Sequence, residues 1–395
     1  MPQKRVSAAW GAVFLIFLVH GLVVSTWVSR IPAIQSSLRL SNGVLGLTLL
    51  SSAAGALCSI PATGWLVSRY GSKPVTILAS VSFCLFLNLP GIAWNRESLA
   101  AALFIFGAAA AAMDVSMNAQ GVEVEKTLGH PTMSRFHALF SLGGMLGAGT
   151  GGLVANAQIG ARVHFAAASL ILLLATLAIS PFFLHTAPPS RGTAHRLPIR
   201  QIPPILLALS AIAFFILLTE GAMADWTALY LRQVLAASPG LAAAGYAVFS
   251  AAMALFRLMG DVITLRLGPA RTVRAGSLTA GLGLIWAISM PAPAWALPGF
   301  FFTGAGLSVI IPLVFGSGGR VGTVSPGAGI ATVTGIGYLG FIAGPPTIGF
   351  VSQMVTLRYA LLVVVFCCFT SAYLAGFMRG LGTAPKVEPV MPSQL

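Results

Sequence analysis

The stretch GWLVSRYGSK, residues 64–73, ends one long apolar run and leads into the next. Its Arg69 and Gly71 recur 197 residues later as Arg266 and Gly268. Further glycines repeat at the same offset: Gly107, Gly143, Gly147 and Gly152 match Gly304, Gly340, Gly344 and Gly349. Self-similarity at one long offset predicts two halves of the same architecture, joined in one chain.

The composition indicates that most of the chain lies in a membrane. Of its 395 residues, 57% are hydrophobic and 8% are charged, whereas soluble domains carry about 25% charged residues. The apolar runs exceed the roughly 18 residues that indicate a membrane-spanning helix. We therefore predict an all-α membrane protein with twelve transmembrane helices in two pseudo-symmetric six-helix bundles. Repeats of this kind place a substrate site between the halves, near the bilayer midplane.

The longest polar stretch of the chain divides these two halves. The segment 185–203 contains several prolines and basic residues, and it coincides with the boundary of the repeat. Such a composition is typical of a linker. We predict an N-terminal bundle over 1–184, a cytoplasmic linker over 185–203, and a C-terminal bundle with a short cytoplasmic tail over 204–395.

The basic residues predict how the chain is oriented. The 22 Lys and Arg residues exceed the 8 Asp and Glu residues, but they lie singly in short loops, which argues against a nucleic-acid partner. With the N-terminus in the cytoplasm, sixteen cations fall on the cytoplasmic side and six outside. The positive-inside rule then places both termini in the cytoplasm. Lys4 and Arg5 precede an apolar run over 8–28 without a small-residue cleavage site, which predicts an uncleaved first span.

Motifs of several other functional classes are missing from the sequence. It contains no Gly-rich phosphate loop followed by Lys and Ser or Thr, no HExxH and no Asp-rich metal cluster. The four cysteines lie in apolar runs without CxxC spacing, which is typical of core residues. We expect neither an enzyme nor an ATP-driven pump, and we predict no cofactor and no metal site. The expected partners are the lipid bilayer and a small-molecule substrate.

Residues 64–73 resemble a known signature. The major facilitator superfamily carries G-x-x-x-D-R-x-G-[RK]-[RK] in the loop after its second span, and the whole chain resembles that superfamily. The resemblance implies that Arg69 and Lys73 are gating residues. Ser68 stands where the signature has aspartate, which implies a weaker charge relay in this loop.

The matching loop of the second half reads RLMGDVITLRLG, residues 257–268. It has an acid at a different position from the signature. Arg257 and Asp261 are four residues apart on one helix face, so they could pair. We predict that they form a structural pair at the cytoplasmic gate.

Three further stretches carry a narrower resemblance. They are MDVSMNAQGVEVE (113–125), FHALFSLGG (136–144) and ADWTALYL (224–231). They resemble a bacterial branch of uncharacterised carriers related to fucose permeases. This resemblance implies alternating access in the bacterial inner membrane and, commonly, proton-coupled sugar uptake. We expect the carrier to be a monomer.

Acids within the spans are the candidates for proton coupling, because an ionisable group in hydrocarbon costs about 2.5–3.5 kcal/mol on insertion scales. Asp114 lies just past the middle of the fourth span, and Asn118 follows four residues later on the same face. A carboxyl group partly removed from water could exchange a proton near neutral pH, or it could serve only to fix helix packing. Glu220 lies at the corresponding depth of the seventh span.

Other polar and aromatic residues could complete the site. His20 lies near the middle of the first span, where it could relay a proton to Asp114 or act as a hydrogen-bonded packing residue. Asp225 is predicted to be a gate residue near the outer end of its span, paired with Arg30 or Arg232. The predicted substrate contacts are Trp27, Asn118, Gln120, Trp226, Tyr230 and Tyr338.

The two indoles, Trp27 and Trp226, could stack on a sugar ring or could simply lie at the membrane interface. The sequence favours a proton symporter for a small polar, sugar-like solute. The alternative is a proton-coupled exporter of amphiphilic compounds. Drug antiporters of the superfamily carry a Gly-Pro motif in span 5, whereas this chain has its Gly-Pro-Pro run at 344–346 in span 11, which favours uptake.

Overall fold

A computed structural model describes residues 3–130, 132–185 and 202–380, and the regular structure of these residues is helical. The predicted linker therefore lies mostly outside the described residues. The helices are α1 (Gln3–Ser37), α2 (Asn42–Tyr70), α3 (Ser72–Phe86), α4 (Arg96–Leu128), α5 (Met133–Asn156), α6 (Ala161–Ile179), α7 (Pro204–Gln233), α8 (Pro239–Leu267), α9 (Pro269–Ser289), α10 (Pro293–Leu307), α11 (Ile310–Gly318), α12 (Pro326–Met354), α13 (Leu357–Ala360) and α14 (Leu362–Leu374).

Eleven segments of the described chain are long and apolar enough to cross a membrane. In this count α10 and α11 form one segment, and α13 and α14 form another. The 21-residue helix α9 is the twelfth long helix, and it carries Arg271 and Arg274 in its first two turns. It packs against α10 and α14 inside the second bundle. The predicted all-α membrane fold is confirmed.

The repeated Arg-x-Gly stretches end equivalent helices. Gly71 terminates α2 with a φ of 81°, and Gly268 terminates α8 with a φ of 77°. Each glycine donates its backbone N–H to the carbonyl four residues earlier, which belongs to Val67 in α2 and to Thr264 in α8. A residue with a side chain rarely adopts such a φ, so glycine is required where the chain turns directly into the next helix.

The repeat is also visible in the packing of the two bundles. A methyl group added at Gly107 would collide with the carbonyl oxygen of Ser52, and one added at Gly304 would collide with that of Phe249. Gly304 lies 197 residues after Gly107, and Phe249 lies 197 residues after Ser52. The α2–α4 contact of the first bundle therefore recurs as the α8–α10 contact of the second. The glycines permit backbones to approach closely, as is common between membrane helices.

The two bundles meet chiefly through two pairs of helices, α5 with α8 and α2 with α12, and α1 also contacts α7. These pairs are equivalent under the repeat, because α2 corresponds to α8 and α5 to α12. A methyl group at Gly46 would lie 2.5 Å from the carbonyl oxygen of Pro345. One at Gly152 would lie 3.0 Å from that of Gly240. The glycines of α2, α5 and α12 therefore set the distance between the bundles.

The bundles are joined most extensively at one end, which carries Ser41, Gln233 and Gln353 and which we call the sealed end. The hydrogen bonds across it run from Asn42 Nδ2 to Gln233 Oε1 (3.1 Å), from Gln233 Nε2 to Gln35 Oε1 (2.8 Å) and Asn42 Oδ1 (3.2 Å), from Gln353 Nε2 to Ser41 Oγ (2.6 Å), and from Gly240 N to Asn156 Oδ1 (2.8 Å). All of these groups are uncharged.

The opposite end, which carries Arg69, is packed less closely. Residues 64–70 of α2 are exposed or half-buried, without a fully buried member. A methyl group at Gly64, on the face of α2 that also carries Gly43, would meet no atom within 4 Å. The same holds at Gly335 of α12. The α2–α12 contact is therefore confined to the sealed end.

Candidate substrate site

Arg257 of α8 lies where the two bundles touch away from the sealed end. Its Nη1 donates to Ser141 Oγ at 2.6 Å and to the carbonyl of His137 at 3.4 Å, and both acceptors belong to α5 of the first bundle. Its Nε donates to the carbonyl of Ser308 at 3.3 Å, between α10 and α11. The guanidinium group of Arg257 in α8 thus contacts α5 of the first bundle and the residues between α10 and α11 of the second.

Glu220 of α7 is the ionic partner of Arg257. Arg257 Nη2 lies 3.4 Å from Glu220 Oε1, and the two side chains are only 11% and 21% exposed. The predicted pair of Arg257 with Asp261 is wrong, because Asp261 is exposed and forms no ion pair among the described residues. The spacing of four residues permitted that pair, but the guanidinium turns into the protein toward an acid on another helix.

Asp114 and Asn118 form one polar group on α4, as their spacing predicts. Asn118 Nδ2 donates to the carbonyl of Asp114 at 2.8 Å and to its Oδ1 at 3.1 Å. Both residues are half-buried although they lie well inside a 33-residue helix. Asp114 forms no ion pair with a cation of the described residues, so one carboxylate oxygen stays available for a ligand or a proton.

Tyr338 of α12 connects the two acidic groups. It is half-buried, and the charges of both Asp114 and Glu220 act on its hydroxyl group. Asp114 belongs to the first bundle, whereas Glu220 and Tyr338 belong to the second. The charged groups nearest to Tyr338 thus come from both bundles.

Tyr246 of α8 is a member of this site that the sequence reasoning missed. It is buried, and Glu220 and Arg257 are among the charged groups near its hydroxyl group. Tyr246 lies eleven residues before Arg257, about three helical turns toward the sealed end. That spacing was the signal available in the sequence, because it places both residues on one face of α8.

His20 is close to the site but is not hydrogen-bonded to it. Its ring lies 5.2 Å from that of Phe83 and 5.3 Å from that of Phe140. Neither ring nitrogen has a hydrogen-bond partner among the described residues. The predicted relay between His20 and Asp114 therefore has no direct contact to support it.

Four of the predicted substrate contacts lie inside a bundle. Trp27 is 5% exposed and packs on Phe106 and Phe165. Trp226 is fully buried, and Tyr230 donates its hydroxyl to the carbonyl groups of Ala287 and Ile288 in α9. Trp27 and Tyr230 therefore contact helices of their own bundle, and the Trp226 ring is covered on all sides.

Gln120, the fourth of these contacts, links α4 to α3 and to the segment after α6. Its Nε2 donates to Ser72 Oγ at 2.7 Å and to the carbonyl of Leu184 at 2.9 Å, and its Oε1 accepts from the backbone N–H of Leu184 at 3.0 Å. The amide is fully buried. It is engaged by α3 and by the segment after α6, so it is not placed to bind a substrate.

Asp225 makes neither of its predicted ion pairs. Arg30 donates its Nη2 to the carbonyl of Ile159 at 2.6 Å, and Arg232 donates its Nη1 to that of Ala237 at 2.6 Å. Asp225 is half-buried on α7 and forms no salt bridge among the described residues.

The two gating candidates of the signature loop lie at the Arg69 end. The Arg69 guanidinium lies over the rings of Trp65 and Tyr70, at 5.5 and 5.6 Å from their centroids. Lys73 Nζ donates to the carbonyl of Pro181 at 2.8 Å, which links α3 to the end of α6. Ser68, in the place of the aspartate, donates to the carbonyl of Trp65 at 2.7 Å.

Among the described residues, no three His, Cys, Asp or Glu side chains converge as a metal site would require. The site is thus built from acids, an arginine, phenols and an amide contributed by both bundles. Such groups can bind hydroxyl or ammonium groups and can exchange protons.

The family comparison agrees with this architecture. The sequence profile of the Major Facilitator Superfamily matches residues 12–322. The chain belongs to the Major Facilitator Superfamily. It is a transporter, and it spans the membrane many times. Members of this superfamily are carriers and not enzymes.

The similar curated proteins span nearly the whole chain. An uncharacterised MFS-type transporter of Yersinia pestis is 34% identical over 359 residues, covering 91% of this chain and 92% of that protein. The uncharacterised transporter y4wD of Sinorhizobium fredii is 32% identical, covering 95% of this chain and 100% of that protein. The membrane protein MosC of Rhizobium meliloti is 32% identical, covering 92% and 88%.

Solved structures share the fold at low sequence identity. A structure of the nucleoside transporter NupG superimposes with a TM-score of 0.72 at 16% identity, covering 94% of this chain and 99% of that one. A bacterial homologue of the human lysosomal transporter Spinster superimposes with a TM-score of 0.70 at 16% identity, covering 95% and 97%. These similarities establish the fold and leave the substrate open.

Proposed function

We propose that this carrier takes up a small polar, sugar-like solute together with a proton, by alternating access. One observation carries the proposal: Arg257 and Glu220 of the second bundle form a half-buried ion pair, and the same guanidinium group donates to Ser141 of the first bundle. A site shared by both bundles changes when one bundle moves against the other. A solute or proton bound there can therefore bias that motion.

The groups at this site suit a hydroxyl-rich solute. Asp114 offers carboxylate acceptors, Asn118 offers an amide oxygen, and Tyr338 offers a hydroxyl group that can donate or accept. A polyol or sugar needs such mixed donors and acceptors around its ring. The indoles that could have stacked on a sugar lie inside the bundles, so recognition would rest on hydrogen bonds.

Proton coupling follows from the charges of the site. Three half-buried acids, Asp114, Glu220 and Asp225, lie on α4 and α7, and Arg257 is the cation that pairs with one of them. Carboxylates that share a space without water repel one another strongly. Taking up a proton together with a neutral solute reduces that repulsion and so favours binding of the solute. Asp114 is our first candidate, since it has no cationic partner among the described residues. Glu220 would release Arg257 when it is protonated, and His20 is a weaker candidate.

We further propose that the Arg69 end faces the cytoplasm and that the carrier lies in a bacterial inner membrane. The excess of basic residues on that side supports this orientation. Both termini would then be cytoplasmic, and the conformation described here would be closed toward the outside. The bundles 1–184 and 204–395 would move as two units joined by the linker 185–203, within a monomer.

The test is uptake into proteoliposomes that contain a pH-sensitive dye, with the lumen more alkaline than the bath. Sugars, nucleosides, organic acids and lipophilic cations are presented in turn. We expect a hydroxylated neutral solute to enter and to acidify the lumen. For variants of the acids Asp114 and Glu220, Glu97→Gln is the matched control, because Glu97 pairs with Arg96 on the surface and its side chain is 62% exposed. Proton movement driven only by lipophilic cations would instead identify an exporter of amphiphilic compounds.

A further inference from the structure

Arg30 of α1 is a buried cation whose donors are only partly used. The residue is 4% exposed. Its Nη2 donates to the carbonyl of Ile159, but Nε and Nη1 have no hydrogen-bond partner among the described residues. It forms no ion pair with any described acid. Burying an unpaired guanidinium group is costly, so a counter-charge is expected next to it.

The guanidinium lies at the start of a long helix. Ile159 directly precedes Gly160, the N-cap of the 19-residue helix α6. No side chain caps this helix by a hydrogen bond. The first backbone N–H groups of a helix lack acceptors within it, and the helix dipole makes this end positive. Arg30 and the start of α6 therefore present unpaired donors and positive charge at one place.

His164 contributes a third donor to this place. It is in the first turn of α6, is 7% exposed, and its Nδ1 has no hydrogen-bond partner among the described residues. The charge of Arg30 acts on it. Gly151 of α5 lets the helices approach here, because a methyl group at this position would collide with Ser29 Oγ and lie 3.4 Å from His164 Cε1.

We propose that Arg30, His164 and the N-terminus of α6 bind a small monovalent inorganic anion such as chloride. Three independent observations converge: a buried guanidinium with two free nitrogens, a buried imidazole with a free Nδ1, and an uncapped helix N-terminus. The surrounding groups come from α1, α5 and α6 of one bundle. The ion is therefore a fixed part of the first bundle, and its binding does not depend on the proposed proton coupling.

The experiment measures thermal unfolding of the purified carrier in detergent, with sodium chloride replaced stepwise by sodium gluconate at constant ionic strength. Gluconate is too large for a buried site. We expect the Tm to rise saturably with chloride, by about 2–4 °C, because a ligand of the native state stabilises it by mass action. Bromide and nitrate should replace chloride.

The variant Arg30→Gln should abolish this chloride dependence. Arg232→Gln is the matched control, because Arg232 of α7 likewise donates to one loop carbonyl, that of Ala237, but is exposed. The control should retain the full chloride effect. A chloride effect that persists in Arg30→Gln, or the same Tm in chloride and gluconate for the unaltered carrier, would overturn the proposal.

A second measurement covers the case in which Arg30→Gln fails to fold. Equilibrium dialysis of the unaltered carrier against radioactive chloride should give one bound ion per chain, displaced by bromide but not by gluconate. Arg30→Lys should weaken that binding, since an ammonium group supplies charge without the two free guanidinium donors. The absence of saturable binding would exclude the site.

Discussion

The bundles touch through polar side chains in two regions that differ in charge. At the sealed end, the amides of Gln35, Asn42 and Gln233 form a closed ring, which we call the amide ring, with donor–acceptor distances of 2.8–3.2 Å. Away from that end, the guanidinium group of Arg257 binds Ser141 of the opposite bundle while it pairs with Glu220. A proton can change the second contact, but it cannot change the first.

The two regions therefore have different roles in a carrier that alternates between states. Neutral hydrogen bonds contribute about 0.5–1.5 kcal/mol each, and this value is independent of pH. The Arg257 contact is charge-assisted and half-buried, so it is stronger than a neutral hydrogen bond of the amide ring. Its loss leaves the charge of Glu220 without a partner. Under the proposed function, the amide ring would set how readily the sealed end opens, and the Arg257 contact would determine whether that motion responds to protons.

Removing the cation should have the largest effect. Arg257→Leu leaves Glu220 without its partner in a half-buried site, which costs about 3–5 kcal/mol for a buried pair and less here because of partial exposure. We expect uptake to fall to background and the Tm to fall. The measurement is solute uptake into proteoliposomes, together with thermal unfolding in detergent.

Arg266→Leu is the control for this variant. Arg266 lies near the end of the same helix but is exposed, and it forms no ion pair among the described residues. It should transport at close to the unaltered rate. If Arg257→Leu transports as well as Arg266→Leu, the Arg257 contact has no part in the cycle.

Removing the unpaired acid should have the next largest effect. In Asp114→Asn the side chain keeps its size and can still hydrogen-bond a solute, but it cannot carry a proton. We expect loss of accumulation driven by a pH gradient, while exchange of labelled for unlabelled solute remains measurable. Both rates are obtained from the same proteoliposomes. Accumulation as strong as in the unaltered carrier would exclude Asp114 as the coupling acid.

The same two regions indicate what the sequence could and could not predict. Local spacing predicted the Asp114–Asn118 contact, because both residues lie on one helix. The offset of 197 predicted that Gly107 and Gly304 would occupy equivalent places. The same kind of spacing predicted the wrong partner for Arg257. The partner lies on α7, and its choice depends on how the helices pack, which no local pattern records.

Burial separates other predicted substrate contacts from the Arg257 contact. Trp226, Tyr230 and Gln120 have side chains suited to binding a polar solute, and they lie in or near motifs of the resemblance. Their exposure is zero in this structure. In a membrane protein nearly every helix face is apolar. The sequence pattern therefore does not show which face packs against the other bundle and which packs within its own, because tertiary packing decides this.

The amide ring and the charged contact should differ most clearly in their pH dependence. Gln233→Ala removes three hydrogen bonds of the ring, so it should change the uptake rate several-fold by the same factor at mildly acidic and at mildly alkaline pH. Glu220→Gln should instead change the uptake rate by a factor that differs between the two pH values, because it removes the negative charge that pairs with Arg257. The measurement is the initial uptake rate across this pH range without a membrane potential. A pH-dependent effect of Gln233→Ala would contradict the distinction between the two regions.

The smallest effect should come from adding a single methyl group to α2. Gly46→Ala places a carbon 2.5 Å from the carbonyl oxygen of Pro345, so α2 and α12 must move apart at the sealed end. Gly64→Ala, on the same helix, meets no atom within 4 Å. The first should favour the conformation in which the sealed end is open, and should raise the labelling by a membrane-impermeant reagent of a cysteine placed at Ala243, which is buried against Gly152 of the other bundle. The second should leave labelling unchanged and stabilise α2 by up to about 1 kcal/mol, because alanine favours helix more than glycine does. Equal labelling in both variants would mean that the glycine contacts of the sealed end do not control its opening.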